Sequence, residues 1–245
     1  SMTYLSAGMV DRHEHDLMLE TACCKLFCSE AGWHVVDDAV QIHGGEGYMA
    51  TLGLERMLRD ARINRIVEGA TEVMTSFVAL MGMKGIGEEF EEVLRASRNP
   101  IGNFGRLADF AKHEWRDLII GPHINNLPDE LIHEGNVLAH LTRRLARDVS
   151  RLLTKHREKI LDRQLLHHRV AGAVIEIYAM TAVISRLQSL LESAQGNGDS
   201  AELSRQLIVG KGYCRHAANR VYRRLRGLFH NHDKVRIEVA DAVLA

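Results

Sequence analysis

Proline is scarce in this chain. Only Pro100, Pro122 and Pro128 occur in 245 residues, so residues 1–99 and 129–245 contain none. Proline breaks helix interiors, so two long proline-free blocks around a proline-bearing stretch predict two helical bodies and a connection. Excess charge of either sign is also missing. The net charge of −1 gives no global attraction for nucleic acid. No apolar run reaches the ~18 residues of a membrane-crossing helix. The opening Ser1-Met2-Thr3-Tyr4-Leu5 lacks the basic and apolar regions of a signal peptide. Cysteine is limited to Cys23, Cys24, Cys28 and Cys214, with no CxxC spacing for zinc or dithiol chemistry. Those thiols are expected to be buried and reduced, which implies a reducing intracellular compartment. The remaining composition, 46% hydrophobic and 26% charged, excludes a disordered, collagenous or fibrous chain.

Helical periodicity dominates both blocks. Leu19, Ala22, Cys23, Leu26, Phe27, Ala31, Val35 and Ala39 recur at helical spacing from Asp16 to Val40, and the pattern predicts one apolar stripe. Gly44-Gly45-Glu46-Gly47 breaks it. A short helix is expected over Leu54–Ala61, with Arg56 and Asp60 placed to pair. Another starts near Gly69 and loosens at Gly82, Gly85 and Gly87. The connecting stretch is expected to hold a short helix near Leu107–Ile120. Beyond it, helices are expected over 130–166, 170–193 and 201–227, the middle one at the centre of a bundle because Val170–Ile184 is nearly all apolar. No strand-period segment, internal repeat or low-complexity tract is visible. The expected fold is all-α, with domains at 1–87 and 130–245 and a linker at 88–129.

Three segments could carry chemistry. In Gln41-Ile42-His43-Gly44-Gly45-Glu46-Gly47-Tyr48, adjacent glycines let a backbone approach a phosphate or diphosphate closely. A plain turn between helices has the same composition, and neither a P-loop nor a Rossmann fingerprint is present. Glu55-Arg56-Met57-Leu58-Arg59-Asp60-Ala61-Arg62 reads by itself as a charged helix. In Val67-Glu68-Gly69-Ala70-Thr71, a carboxylate precedes a helix start. That position suits either an acid favoured by the helix dipole or a group with chemical work to do.

Order and spacing join the three. Gln41 to Tyr48, then Glu55 to Ile63, then Glu68-Gly69-Ala70 resemble the acyl-CoA dehydrogenase family in its C-terminal helical domain. Met2 to Met9 and Lys25 to Glu30 are also similar to that family. Arg169-Val170-Ala171 and Tyr178 to Val183 resemble its very-long-chain branch, which has an extra C-terminal helical region. The resemblance implies that Glu68 is the base removing the α-proton of an acyl-CoA while FAD accepts a hydride from the β-carbon, giving trans-2-enoyl-CoA in fatty-acid β-oxidation. A carboxylate is a weak base for that proton and gains strength in a dry site. The Glu68 amide, with a flavin ribityl hydroxyl, is implied to hold the thioester carbonyl, with Gly69 beside it, stabilising the enolate. Gln41, Gly44 and Gly45 are the implied contacts to the flavin diphosphate, often that of a partner subunit, and Thr71 is a further candidate flavin contact. Ala70 stands where the family usually has threonine, Thr51 where an acid is usual, and Leu52 near the usual proline.

The resemblance also implies a homodimer, an electron-transferring flavoprotein as acceptor, and a cytoplasmic location in bacteria or a mitochondrial matrix or inner-membrane location in eukaryotes. The family's N-terminal helical and β-domains have no counterpart here, so the chain is expected to be a C-terminal fragment, inactive alone. Residues 143–169 hold nine Arg or Lys against three acids, and 202–226 hold seven against Glu202. Basic amphipathic helices suit peripheral membrane contact, as the very-long-chain branch implies, and equally a solvated bundle face or a salt-bridged subunit contact. The alternative function is a non-catalytic helical interaction or assembly module. Fourteen histidines provide no HExxH and no third ligand, so no metal is expected. Glu176 is expected to be either a paired buried acid or a rim residue.

Overall fold

The computed structural model describes residues 1–97, 124–197 and 200–244. Among them all regular structure is helical, as the scarcity of proline predicts. The helix expected near Leu107–Ile120 lies outside the described residues. The chain divides into two compact units, Met2–Val78 and Ala79–Ala245.

The first unit contains α1 (Met2–Asp11), α2 (Met18–Tyr48), α3 (Leu54–Ile63) and the start of α4 (Thr71–Ser97). Met2 and Ser6 of α1 are buried, as are Ala22, Cys23 and Leu26 of α2. The Ser6 hydroxyl lies 3.2 Å from Cys24 Sγ, which joins the two helices. The apolar stripe of α2 is only half used. Val35 is 67% exposed and Ile42 81%, so burial stops well before periodicity does. Cysteine burial is also less complete than expected: Cys23 and Cys214 are buried, Cys24 is half-buried and Cys28 is exposed. Burial pushes the Cys23 thiol up to about 12 and the Cys214 thiol to about 11. On α3 the pair formed is Arg59 with Glu55 at 3.1 Å, not Arg56 with Asp60. Helix α4 runs on through Gly82, Gly85 and Gly87, because glycine weakens a helix by only ~1 kcal/mol and does not stop it.

The second unit is built on α5 (Ile132–His156), α6 (Gln164–Asn197), α7 (Ser200–Phe229) and α8 (Asp233–Leu244). Helix α6 is central. Its Val170, Ala171, Ala173, Ala179, Met180 and Ala182 are all at most 2% exposed, and the alanines let neighbouring backbones approach. Leu141, Val149 and Leu152 of α5 and Ala217, Val221 and Leu225 of α7 complete this core. Each fully buried Leu or Val contributes about 1.5–3 kcal/mol.

The second unit departs from expectation in three places. The helix expected to end at 166 ends at His156. Arg157 has φ 49°, and a 3-10 segment follows over Arg157–Asp162. Ile160 is buried there, and its carbonyl lies 2.8 Å from His167 Nε2. Tertiary packing overrides a local sequence with no breaker. Second, Gln164–Ala194 does have the length and mean hydropathy, 1.5, of a membrane-crossing helix. Glu176 and Thr181 interrupt its apolar run, which hid it from a search for unbroken runs. Packing against α5 and α7 accounts for that hydropathy as a bundle core.

Third, α8 lies beyond the last helix expected from periodicity, 201–227. Its start is held by Asn231 Oδ1, which accepts the Asp233 N–H at 3.2 Å, and by Arg169, which grips both Asp233 oxygens at 2.6 and 2.5 Å. Those bonds hold the Asp233 carboxyl below its ordinary value of 3.8, against a smaller opposing effect of burial. The bridge therefore contributes stability above that value and loses it as pH falls through the folded-state value. Amide exchange across Asp233–Leu244 is expected to accelerate on acidification in the wild type, beyond the change in intrinsic exchange, and to be fast and pH-insensitive in D233N.

Candidate functional site

Glu68 lies in the turn between α3 and α4. Its φ is 55° and that of Gly69 is 95°. A left-handed non-glycine residue is uncommon and costs of order 1–3 kcal/mol, so such residues persist only where their surroundings enforce them. Here the enforcement is visible. Thr71 N–H donates to the Arg65 carbonyl at 3.0 Å, closing the loop. Glu30 of α2 accepts from Arg65 Nε at 2.7 Å and from the Thr71 hydroxyl at 3.0 Å. Lys25 Nζ donates to the Gly69 carbonyl. The Arg62 and Arg65 guanidiniums sit 5.8 and 5.7 Å from the Trp33 ring, a cation–π arrangement that braces α3 on α2.

The turn presents two functional groups. The Glu68 side chain is exposed, so these residues alone do not make the dry surroundings expected of a base. The Glu68 N–H donates to no protein acceptor among the described residues. It is therefore a free donor next to the carboxylate. At Gly69 a Cβ would meet Met74 Sδ at 2.6 Å, on top of the positive φ. Gly69→Ala is expected to lower stability by about 1–2 kcal/mol, read as a fall in the denaturant midpoint of this unit.

Gln41, Gly44 and Gly45 lie near the end of α2, all exposed. Gly44 has φ 57° and ψ −133°, a kink within the helix. The expected break is therefore real but confined to one residue, with helix resuming to Tyr48. A Cβ at Gly44 or Gly45 would meet nothing within 4 Å, so this backbone is open to close approach from outside. No hydrogen bond among the described residues links this segment to the Glu68 turn. Thr71, expected as a flavin contact, commits its hydroxyl proton to Glu30. Sequence reasoning missed Lys25, Glu30, Trp33 and Arg65 as the groups that hold Glu68. Lys25 and Glu30 lie in a stretch noted as similar to the family, yet their partners are 35 to 44 residues away, beyond what spacing reveals.

Comparison with known proteins follows the same division. A family model described as acyl-CoA dehydrogenase, C-terminal domain, matches residues 1–83. A second, ACAD9/ACADV, C-terminal domain, matches residues 129–244. The mitochondrial very long-chain specific acyl-CoA dehydrogenase of Mus musculus is 35% identical over 232 residues, covering 93% of this chain. That of Homo sapiens is 38% identical over 190 residues, covering 76%. The chain spans about a third of the length of these relatives, 35% and 29% respectively. An acyl-CoA dehydrogenase from Bacillus anthracis, solved in complex with FAD, has the same fold at a TM-score of 0.63 and 22% identity, over 91% of this chain and 35% of its own. With its first 83 residues matching one family model and residues 129–244 the other, the chain belongs to the acyl-CoA dehydrogenase family.

Proposed function

We propose that this chain is the C-terminal helical part of a FAD-dependent acyl-CoA dehydrogenase that converts long-chain acyl-CoA to trans-2-enoyl-CoA. The observation that carries the proposal is the Glu68 turn, a carboxylate on left-handed backbone beside a free amide, held by Lys25 and Glu30 of α2 and by Arg65 just after α3. Glu68 takes the α-proton onto its carboxylate. The electron pair left on the α-carbon becomes the new C=C bond as the β-hydrogen departs with its own pair. The Glu68 N–H donates to the thioester oxygen, where negative charge builds. Gly69 keeps the backbone flush with that oxygen.

The residues fit FAD: Gly44 and Gly45 offer exposed backbone with empty space where side chains would stand, suited to a diphosphate, and Gln41 adds a side-chain amide. FAD, when bound, supplies the acceptor for the two electrons. The Thr71 hydroxyl donates its hydrogen bond to Glu30, so its oxygen lone pairs are what remain to meet the cofactor. Dry walls around Glu68 come from segments other than these 245 residues or from a partner subunit of a homodimer. An electron-transferring flavoprotein as acceptor, a reducing compartment in mitochondria or bacteria, and peripheral membrane contact through the basic helices belong to the same proposal.

Acyl-CoA-dependent reduction of an artificial dye tests it. The polypeptide carrying this segment with its preceding domains turns over, and the 245-residue chain alone does not. Dye reduction by the 245 residues alone contradicts the need for further walls. A helical assembly module is the second reading. Exposed apolar side chains in the first unit, among them Val35, Ile42 and Val73, favour it. An unchanged cellular phenotype in E68Q would support it over catalysis.

A further inference from the structure

We propose that the second unit carries an oxyanion site for a phosphate group, in the cleft formed by Arg169 of α6 and Arg220, Arg223 and Arg224 of α7. The cleft has a volume of about 330 Å³. Its charges do not balance. Arg220 is taken by Glu176, with Nε–Oε1 at 2.6 Å and Nη2–Oε2 at 2.8 Å. Arg169 is taken by Asp233 in the same two-pronged way. Both acids are thereby used, and no salt bridge among the described residues reaches Arg223 or Arg224. Arg220, Arg223 and Arg224 share one face of α7 at spacings of three and four, where like charges repel.

Arg224 is the most constrained of the four. It is half-buried and lies over Gly172 of α6, where a Cβ would stand 1.2 Å from Nη1. Burial, with Arg220 and Arg223 assisting, pulls its pKa down against the attraction of Glu176. His168 is lowered as well, by burial first and then by Arg224 and Arg169. Both shifts are led by burial, and the neighbouring arginines add to each. A helical bundle gains nothing by holding two uncompensated guanidiniums in one cleft. An oxyanion offsets both, and guanidinium forks match phosphate oxygens in pairs. A doubly charged phosphate monoester balances Arg223 and Arg224 outright; a lipid phosphodiester balances one.

The test uses the 245-residue chain with inorganic phosphate as probe, by calorimetric titration against sodium chloride of equal ionic strength. Arg223 is exposed, so R223Q leaves the fold intact. Its phosphate affinity is expected to fall about tenfold, the loss of one charge-assisted interaction. R224K keeps the charge but loses the fork, and its affinity is expected to fall several-fold with unchanged circular dichroism. Co-sedimentation with vesicles of phosphatidylglycerol in phosphatidylcholine identifies the source. Pelleting that R223Q abolishes assigns a lipid headgroup; phosphate binding without pelleting assigns a soluble phosphate. Equal phosphate binding by wild type, R223Q and R224K, or no binding beyond that of chloride, overturns the proposal.

Discussion

Glu68→Gln, made in the polypeptide that carries this segment, is expected to lower dehydrogenation of acyl-CoA by about 10²–10⁴-fold, the usual contribution of a positioned general base. Glutamine has the shape of glutamate and leaves the backbone at φ 55° undisturbed. The brace of Lys25, Glu30, Arg65 and Thr71 touches the backbone and neighbours of Glu68, not its carboxylate. Flavin content and acyl-CoA affinity are therefore expected to stay near wild type, while exchange of the substrate α-proton with deuterated water disappears. Loss of turnover with exchange intact would place the base elsewhere.

The largest expected loss of stability is at Glu176. It is 7% exposed in the middle of α6 and accepts both prongs of Arg220, with the Tyr213 hydroxyl donating at 3.4 Å. Removing one partner of a buried pair costs about 3–5 kcal/mol, because the other charge is left without compensation. The Arg220 side chain is 33% exposed, so water recovers part of this and Glu176→Gln is expected near the lower bound, about 3 kcal/mol. Chemical denaturation of the second unit measures it. Glu176→Gln with Arg220→Met is expected to be more stable than Glu176→Gln alone, since no orphaned charge remains. A single-variant cost below about 1 kcal/mol would mean that the pair is already solvated.

The same residue shows how far the sequence could be read. A lone acid in an apolar helix announces a partner, but the partner, Arg220, is 44 residues away on another helix. Helices α2 to α4 and the core of α5 to α7 follow from periodicity and missing proline, because those signals are local. The turn at Arg157 and helix α8 do not. One is set by buried Ile160 and His167, the other by Arg169 reaching Asp233 from α6. Periodicity also says nothing about where burial stops, hence the exposure of Val35 and Cys28. At the candidate site, Glu68 and the glycine pair came from motif order, which is a property of the family. The brace around Glu68 came only from the structure, since tertiary contacts alone bring Glu30 to Thr71.

The most direct measurement is the visible absorption of the complete flavin-loaded polypeptide as a long-chain acyl-CoA is added without oxygen. If Glu68 and the glycine turn serve one dehydrogenation site, the flavin bleaches and an equal amount of trans-2-enoyl-CoA appears. A flavin that stays yellow with every saturated acyl-CoA, in a protein that binds them, would contradict the account.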